Sequence, residues 1–319
     1  MPHGAGAFNS SSACAAACTS PTPATGHPNE RKILIAFFSG TKQGDGWLPN
    51  CKVGWDPPTA NHCTWNGITC DMDGFVVKIS LGGCGLKGVF PVPSIFTFKR
   101  LQWVQMPESQ SPYHPAPGSL QGPLPHDLAF STSLQRLELY GNTFSGTLAM
   151  LANITGLIQL DLHFNDFSGP APDLAKSADT LEYISLANNH LTGSIPASYA
   201  KYSTLDTLGL ADNKLTGTLD VVNELKGLKV IYMRQNRFTG AMPSIPTGAA
   251  VADLDHNQLS TFPADVCQAP LPGAYANPGG CSQDWPNQAF DTCCMGNNPF
   301  ECAGGKPPAC LKNCGVQCA

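Results

Sequence analysis

Two carboxylates and one imidazole stand at matching positions of neighbouring sequence units: Glu138, Asp161 and His163. A carboxylate beside a histidine can perform general acid–base catalysis when the groups converge in a site that excludes water. We expect these side chains on the outer side of short strands, on an open surface without a deep pocket that could shift a pKa. No G-x-S-x-G nucleophile motif occurs. The sequence therefore predicts a polar contact surface, no enzyme activity, no cofactor and no metal.

The fourteen cysteines form two blocks, six between Cys14 and Cys84 and eight between Cys267 and Cys318. An even number of cysteines at each end is typical of disulfides that stabilise small terminal units in an oxidising compartment. Zinc is the alternative for four cysteines of the second block, but these lack a C-x2-C pair and no histidine lies among them. The four are Cys302, Cys310, Cys314 and Cys318.

Charge and hydropathy exclude two classes of partner. Only 13% of the residues are charged, the net charge is -5, and no lysine- or arginine-rich run occurs, so neither nucleic acid nor an anionic membrane surface is expected. The longest apolar run, Ile33 to Phe38, has six residues, against roughly 20 for a membrane span. No signal peptide is visible in residues 1–32. The sequence leaves the oligomeric state open.

From Val76 onward the sequence repeats with a period of about 24 residues. Apolar residues recur at the same offsets in the units, and six of the eight units also have an asparagine at a fixed offset, usually followed by a glycine. Units begin at Val76, Leu101, Leu134, Leu157, Leu181, Leu205 and Leu228, and a shortened last unit contains Leu254. The second unit is interrupted by a proline-rich insertion, Ser109 to Gly118, which we expect to bulge from a loop. The pattern predicts about eight repeats.

Each offset has a physical reason. The segment L-x-x-L-x-L turns three apolar side chains inward from a short strand, and the residues between them face outward. The asparagine that follows can satisfy backbone groups where the chain turns inward. Because one repeat cannot bury its own apolar face, neighbouring repeats must stack and both ends need caps. The asparagines are Asn142, Asn165, Asn189, Asn213, Asn236 and Asn257.

Two motifs carry a family resemblance. Asn-His-Leu-Thr-Gly-Ser-Ile-Pro (Asn189 to Pro196) resembles the plant-type leucine-rich-repeat consensus, and Cys-Thr-Trp-Asn-Gly-Ile-Thr-Cys (Cys63 to Cys70) resembles the N-terminal cap of the same family. The resemblance implies an α/β solenoid: a leucine-rich-repeat superhelix of about eight plant-type repeats, with a parallel concave sheet and disulfide-bonded terminal caps. It also implies a disulfide between Cys63 and Cys70.

These observations predict four segments. Residues 1–29 would be a disordered N-terminal tail and residues 30–75 a cysteine-bearing cap. The leucine-rich repeats would occupy residues 76–266, followed by a cysteine-rich C-terminal cap over residues 267–319.

The concave sheet of a solenoid is its usual docking surface, so the outward strand residues are the candidates for partner binding. Aromatic residues and arginine are frequent at these positions, and both are enriched at interface hot spots. We therefore predict a protein or peptide ligand on this face. Its predicted contacts are Trp103, Arg136, Glu138, Tyr140, Asp161, His163, Phe164, Tyr183, Tyr232 and Arg234.

In plan the chain is similar to polygalacturonase-inhibiting proteins and to the ectodomains of plant receptor kinases. This resemblance implies a non-catalytic protein in extracellular or cell-wall recognition or defence, and a glycan is expected at the Asn153-Ile-Thr sequon. One alternative is an inhibitor of a secreted hydrolase such as a polygalacturonase. Another is an intracellular or ciliary structural scaffold in the cytoplasm or cilium, which free cysteines would favour.

Overall fold

The computed structural model describes residues 26–41, 46–108, 119–262, 292–294 and 298–299. These residues form a solenoid with two sheets, one of ten strands and one of seven. In spatial order the long sheet contains β1 (Ile68–Cys70), β2 (Val76–Ser80), β3 (Trp103–Gln105), β5 (Arg136–Glu138), β7 (Gln159–Asp161), β9 (Tyr183–Ser185), β11 (Thr207–Gly209), β13 (Val230–Tyr232), β15 (Val251–Asp253) and β17 (Thr292–Cys294).

The second sheet lies further along each repeat, and six of its seven strands begin directly after one of the asparagines. Its strands are β4 (Gln121–Pro123), β6 (Thr143–Gly146), β8 (Asp166–Pro170), β10 (His190–Gly193), β12 (Lys214–Gly217), β14 (Arg237–Ala241) and β16 (Gln258–Thr261). Short 3-10 helices complete the repeats: Ile95–Thr97, His126–Phe130, Ala149–Asn153, Ala175–Ser177, Ala197–Lys201 and Asp220–Glu224. The predicted leucine-rich-repeat solenoid is confirmed.

The long sheet is the predicted concave sheet, and from β2 onward its described strands pair in parallel. Each strand is only three to five residues long, and its inward residues are fully buried, as at Leu137, Leu160 and Ile184. The alternation of side chains along a strand then places the residues on either side of each buried one on the concave face. Stacked repeats thus align rows of outward side chains from one strand to the next.

A ladder of asparagines connects the repeats. The Asn189 amide nitrogen donates to the carbonyl oxygens of Leu162, Leu186 and Ala187 at 3.0, 3.1 and 3.1 Å, and its oxygen accepts the Phe167 N–H at 3.0 Å. The other five predicted asparagines make the same set of contacts with their own neighbours. Backbone groups that a turn would leave buried and unpaired are thereby satisfied.

The residue before each ladder asparagine has a left-handed backbone, which the sequence pattern did not predict. Five of these residues are not glycine, and their φ angles lie between 52° and 55°. This conformation turns the chain from the concave strand so that the asparagine side chain points inward. The five are Phe164, Asn188, Asp212, Gln235 and His256.

The N-terminal cap closes the first repeat with aromatic residues. Helix α1 (Pro28–Thr41) buries Phe37 against Trp47 and Trp55, with ring centroids 6.3 Å apart in both pairs. Cys63 and Cys70 form the disulfide that the resemblance implied. A second disulfide joins Cys51 to Cys84, with Cα atoms 5.7 Å apart, and links the cap to the first repeat. The sequence alone left this second pairing open.

The concave sheet continues into the segment predicted as the C-terminal cap. Strand β17 pairs with β15 in register, and Asn298 extends the asparagine ladder by accepting the Leu259 N–H at 3.0 Å and donating to the Leu254 carbonyl at 2.9 Å. Residue 266 therefore does not mark the end of the sheet, and helix α1 begins two residues before the predicted start of the cap at residue 30.

Several predicted features lie outside the described residues: the N-terminal tail up to residue 25, the insertion Ser109 to Gly118, and most of the second cysteine block. Within the described ranges, no helix combines the length and apolar character needed to cross a membrane.

Replacing Asn189 with alanine should lower the free energy of unfolding by about 3 kcal/mol or more, because one amide N–H and three carbonyl oxygens lose a buried partner. Urea unfolding followed by circular dichroism measures this loss. Asn153→Ala, at an exposed position, is the matched control and should change stability by less than about 0.5 kcal/mol. Equal effects of the two substitutions would contradict the structural role of the ladder.

Candidate functional site

The concave strands β3, β5, β7 and β9 bring most of the predicted contact residues together. Arg136, Gln159 and Tyr183 occupy one row of the sheet, and Glu138, Asp161 and Ser185 occupy the row beside it. We call the outward residues of this region and of the neighbouring β2 the N-terminal cluster. Its members are Lys78, Trp103, Gln105, Arg136, Glu138, Tyr140, Gln159, Asp161, His163 and Tyr183.

Trp103 occupies the centre of the first half of this cluster. Its indole N–H donates to Glu138 Oε1 at 3.0 Å, and the Gln105 amide donates to Glu138 Oε2 at 3.0 Å. The Lys78 ammonium lies 3.4 Å from the centre of the indole, and the Arg136 guanidinium lies 5.5 Å from it. Both cations are within the range of a cation–π contact. The indole ring thus holds two positive charges in place.

His163 occupies the second half of the cluster. Its ring stacks on Tyr140 with centroids 4.5 Å apart and planes 10° apart, and its Nδ1 faces a carboxylate oxygen of Asp161. The Tyr183 hydroxyl lies 3.5 Å from the other Asp161 oxygen. Phe164, in the turn that follows, meets His163 edge-on at 5.4 Å. The aromatic rings therefore enclose one carboxylate–imidazole pair.

The expectation that this surface is open and cannot shift a pKa is wrong. Glu138 is 7% exposed, and Asp161 and His163 are each 6% exposed, because their neighbours' rings and amides lie over them. Burial raises the pKa of Glu138, although the hydrogen bonds from Gln105 and Trp103 oppose this effect. Burial also raises the pKa of the Tyr183 hydroxyl, and the charge of Asp161 adds to that effect. The region is a packed polar network.

Strand β11 divides the concave face. It presents small residues, with Gly209 on the concave side and the buried Ala211 just after the strand. Beyond it lies a second group, which we call the C-terminal cluster. Its members are Asp212, Tyr232, Arg234, Asp253 and Asp255. The structure therefore separates Tyr232 and Arg234 from the other predicted contacts.

Two carboxylates of the C-terminal cluster lie beside Arg234. The Arg234 Nε lies 3.3 Å from Asp212 Oδ2 and 3.9 Å from Asp253 Oδ2. The pKa of Asp253 is raised to about 7, chiefly by burial and less by the neighbouring carboxylates, while Arg234 lowers it. Burial likewise raises the pKa of Asp212. Burial therefore raises the pKa of these two acids by more than the charge of Arg234 lowers it.

Sequence reasoning missed three members of these clusters, Lys78, Gln159 and Asp212, whereas the outward offsets also give Gln105, Asp253 and Asp255. Lys78 occupies in the first unit the position of Trp103 and Arg136, so the same reading of outward offsets identifies it. Asp212 belongs to the turn rather than to a strand, and only the left-handed backbone brings it beside Arg234. No strand periodicity signals that contact.

Two other candidate sites have simpler explanations. His62, Cys63 and Cys70 lie close enough together to suggest a metal site, but both cysteines are in a disulfide and offer no thiolate. Asn153 is exposed at the end of a 3-10 helix, and its side-chain oxygen accepts a hydrogen bond from Lys176 at 3.2 Å. Its glycosylation stays a prediction.

Comparison with known proteins agrees with this architecture. Residues 27–71 match the model of the leucine rich repeat N-terminal domain, and residues 180–201 match the leucine rich repeat. These matches support the resemblance to plant-type leucine-rich-repeat proteins.

Three similar proteins are larger than this chain, which matches only part of each. Receptor-like protein kinase 7 of Arabidopsis thaliana is 32% identical over 113 residues, which is 35% of this chain and 10% of that protein. The solved ectodomain of GASSHO1/SCHENGEN3 from Arabidopsis thaliana, in complex with CASPARIAN STRIP INTEGRITY FACTOR 2, has a TM-score of 0.67 and 22% identity, over 89% of this chain and 31% of that one. The Arabidopsis receptor kinase HAESA, in complex with the peptide hormone IDA and the co-receptor SERK1, has a TM-score of 0.52 and 22% identity, over 86% and 50%. The structural likenesses show the fold alone.

The pKa of Asp253 predicts a pH dependence of stability. Between the unfolded value near 3.8 and the folded value of about 7, the folded chain keeps a proton that the unfolded chain releases, so stability falls as the pH rises through this window. Asp253→Asn removes this dependence. From pH 4 to pH 8 the wild type should therefore lose on the order of 2–4 kcal/mol relative to that variant in the free energy of unfolding.

Urea unfolding at a series of pH values gives this difference. Asp179→Asn, at an exposed position, controls for the loss of one carboxylate and should follow the wild-type curve. Parallel curves for wild type and Asp253→Asn would contradict the raised pKa.

Proposed function

We propose that the chain is a non-catalytic recognition protein, extracellular or wall-associated, that binds a protein or peptide on its concave face. The observation that carries this proposal is the continuous band of half-buried aromatic and charged side chains across β3 to β9, with Trp103, Tyr140 and Tyr183 as its rings. Rings and arginines held in place by neighbours lose little freedom on binding. Inhibition of a secreted hydrolase would use the same surface, and that alternative rests on resemblance alone.

Two further observations support binding rather than catalysis. Both oxygens of Glu138 accept hydrogen bonds from neighbours, and the Asp161 carboxylate and His163 imidazole face each other beneath Tyr140 and Tyr183. Both oxygens of Glu138 and the Nδ1 atom of His163 thus already have partners within the protein. In the HAESA complex, the structurally similar ectodomain holds a peptide hormone.

The extracellular placement rests on the N-terminal cap. Its two disulfides, Cys51–Cys84 and Cys63–Cys70, would be reduced in most cytosols and persist where the environment is oxidising. The caps of a solenoid protect its apolar ends, so their stability matters to the whole fold.

Binding is tested with a phage library of random dodecapeptides selected on the immobilised full chain. We expect enriched peptides whose affinity falls about tenfold to thirtyfold in Tyr140→Ala, because the ring forms the surface of the N-terminal cluster. Phe130→Ala removes a ring that is 77% exposed elsewhere on the solenoid, and it should leave affinity unchanged. If no peptide is enriched, or if the affinity of the enriched peptides is unchanged in both variants, this function loses its basis.

The compartment is tested by alkylating protein from its native source under denaturing conditions without reductant, followed by mass spectrometry. We expect Cys51, Cys63, Cys70 and Cys84 to stay unlabelled, with Cys63 joined to Cys70, and all four to be labelled after reduction. Free thiols at these positions would overturn the extracellular assignment and favour the intracellular or ciliary scaffold.

A further inference from the structure

Lys78 and Arg136 stand on opposite sides of the Trp103 indole, at the N-terminal end of the concave face. The Lys78 ammonium is 3.4 Å and the Arg136 guanidinium 5.5 Å from the ring centre. The Arg136 Nη1 also donates to Gln159 Oε1 at 2.6 Å. The three residues occupy one row on adjacent strands, so their spacing follows the sheet. The neutral Trp103 ring and Gln159 amide thus hold one cation on each side of the indole.

Two other arginines in the described part of the chain have carboxylate partners. Arg100 lies 2.7 Å from both Asp71 and Asp73, and Arg234 lies 3.3 Å from Asp212. Among the described residues, no carboxylate lies within ion-pair distance of Lys78 or Arg136.

The nearest acid to this pair is already engaged. Glu138 accepts hydrogen bonds from the Trp103 indole and the Gln105 amide, and these bonds direct its two oxygens into the network beneath the ring. The two positive charges therefore face the concave side without an ion pair to a described carboxylate, and the charge of Glu138 acts on Arg136 from a greater distance. An approaching anion would therefore meet two side chains that are already positioned and have already lost most of their conformational freedom.

The opposite end of the concave face contains more carboxylates than cations. Asp212, Asp253 and Asp255 outnumber Arg234 in the C-terminal cluster. An acidic group is therefore disfavoured beside β13 and β15, and the Lys78 and Arg136 pair is the more favourable place for it on this face.

We propose that Lys78, Trp103 and Arg136 form the subsite for an acidic side chain, Asp or Glu, of the bound peptide. The Arg136 fork can donate two parallel N–H bonds to one carboxylate, and Lys78 supplies a second charge from the other side of the ring. Trp103 contributes apolar contact to the methylene stem of the same side chain. This subsite rests on the proposed peptide-binding function and gives it a specificity.

The test uses three synthetic dodecapeptide pools that are random except for one fixed position, which holds Glu, Gln or phosphoserine. Each pool is passed over the immobilised full chain at physiological salt, and retained peptides are counted by mass spectrometry. We expect the wild type to retain the Glu pool about tenfold better than the Gln pool. The double variant Lys78→Gln/Arg136→Gln should lose this preference and retain the Gln pool as the wild type does.

The control is Lys214→Gln/Arg237→Gln, which removes two exposed positive charges from the second sheet and should keep the preference for Glu. Equal retention of the Glu and Gln pools by the wild type, or a preference that survives in Lys78→Gln/Arg136→Gln, would overturn the subsite while peptide binding stands. Retention of the phosphoserine pool alone would replace the carboxylate with a phosphate as ligand. Failure to retain any pool would remove the peptide-binding function and the subsite together.

Discussion

The hydrogen bonds of the ladder asparagines are the interaction on which the rest of this molecule depends. Each amide joins backbone groups of two successive repeats, so the turn that leaves the concave strand can be buried without unpaired carbonyl oxygens. With the turns closed in this way, strands of three residues suffice to form a continuous sheet. The sheet in turn sets the spacing of the outward side chains, which neighbouring strands hold about 4.8 Å apart.

Much of this architecture is predictable from sequence, since the period and the asparagine offsets specify which residues stack. The same offsets identify Trp103, Tyr140 and Tyr183 as concave residues, and the strand rows agree. Burial of Glu138 is not predictable in this way. It depends on how far the Trp103 ring and the Gln105 amide reach across the gap between two strands, and periodicity contains no information on side-chain reach.

The contact between Asp212 and Arg234 escapes prediction for a different reason. It requires a positive φ at a residue that is not glycine, and sequence rules assign that conformation chiefly to glycine. The break at β11 is also invisible until the strands are aligned, because small residues fit the repeat consensus as well as large ones do. Only the assembled sheet therefore shows two clusters separated by a strand of small residues, one with as many cations as carboxylates and one with an excess of carboxylates.

The left-handed residues before the ladder asparagines have an evolutionary consequence. For a residue such as Phe164, Gln235 or His256, this backbone shape costs roughly 1–2 kcal/mol, a cost that glycine avoids. The turn keeps its shape whichever side chain stands there, because the asparagine beside it maintains the backbone. These positions thus form a row at the rim of the concave face in which mutation can exchange one side chain for another without altering the scaffold. Single substitutions at these positions can therefore change what the rim recognises, and the stability of the fold compensates for the cost of the left-handed backbone.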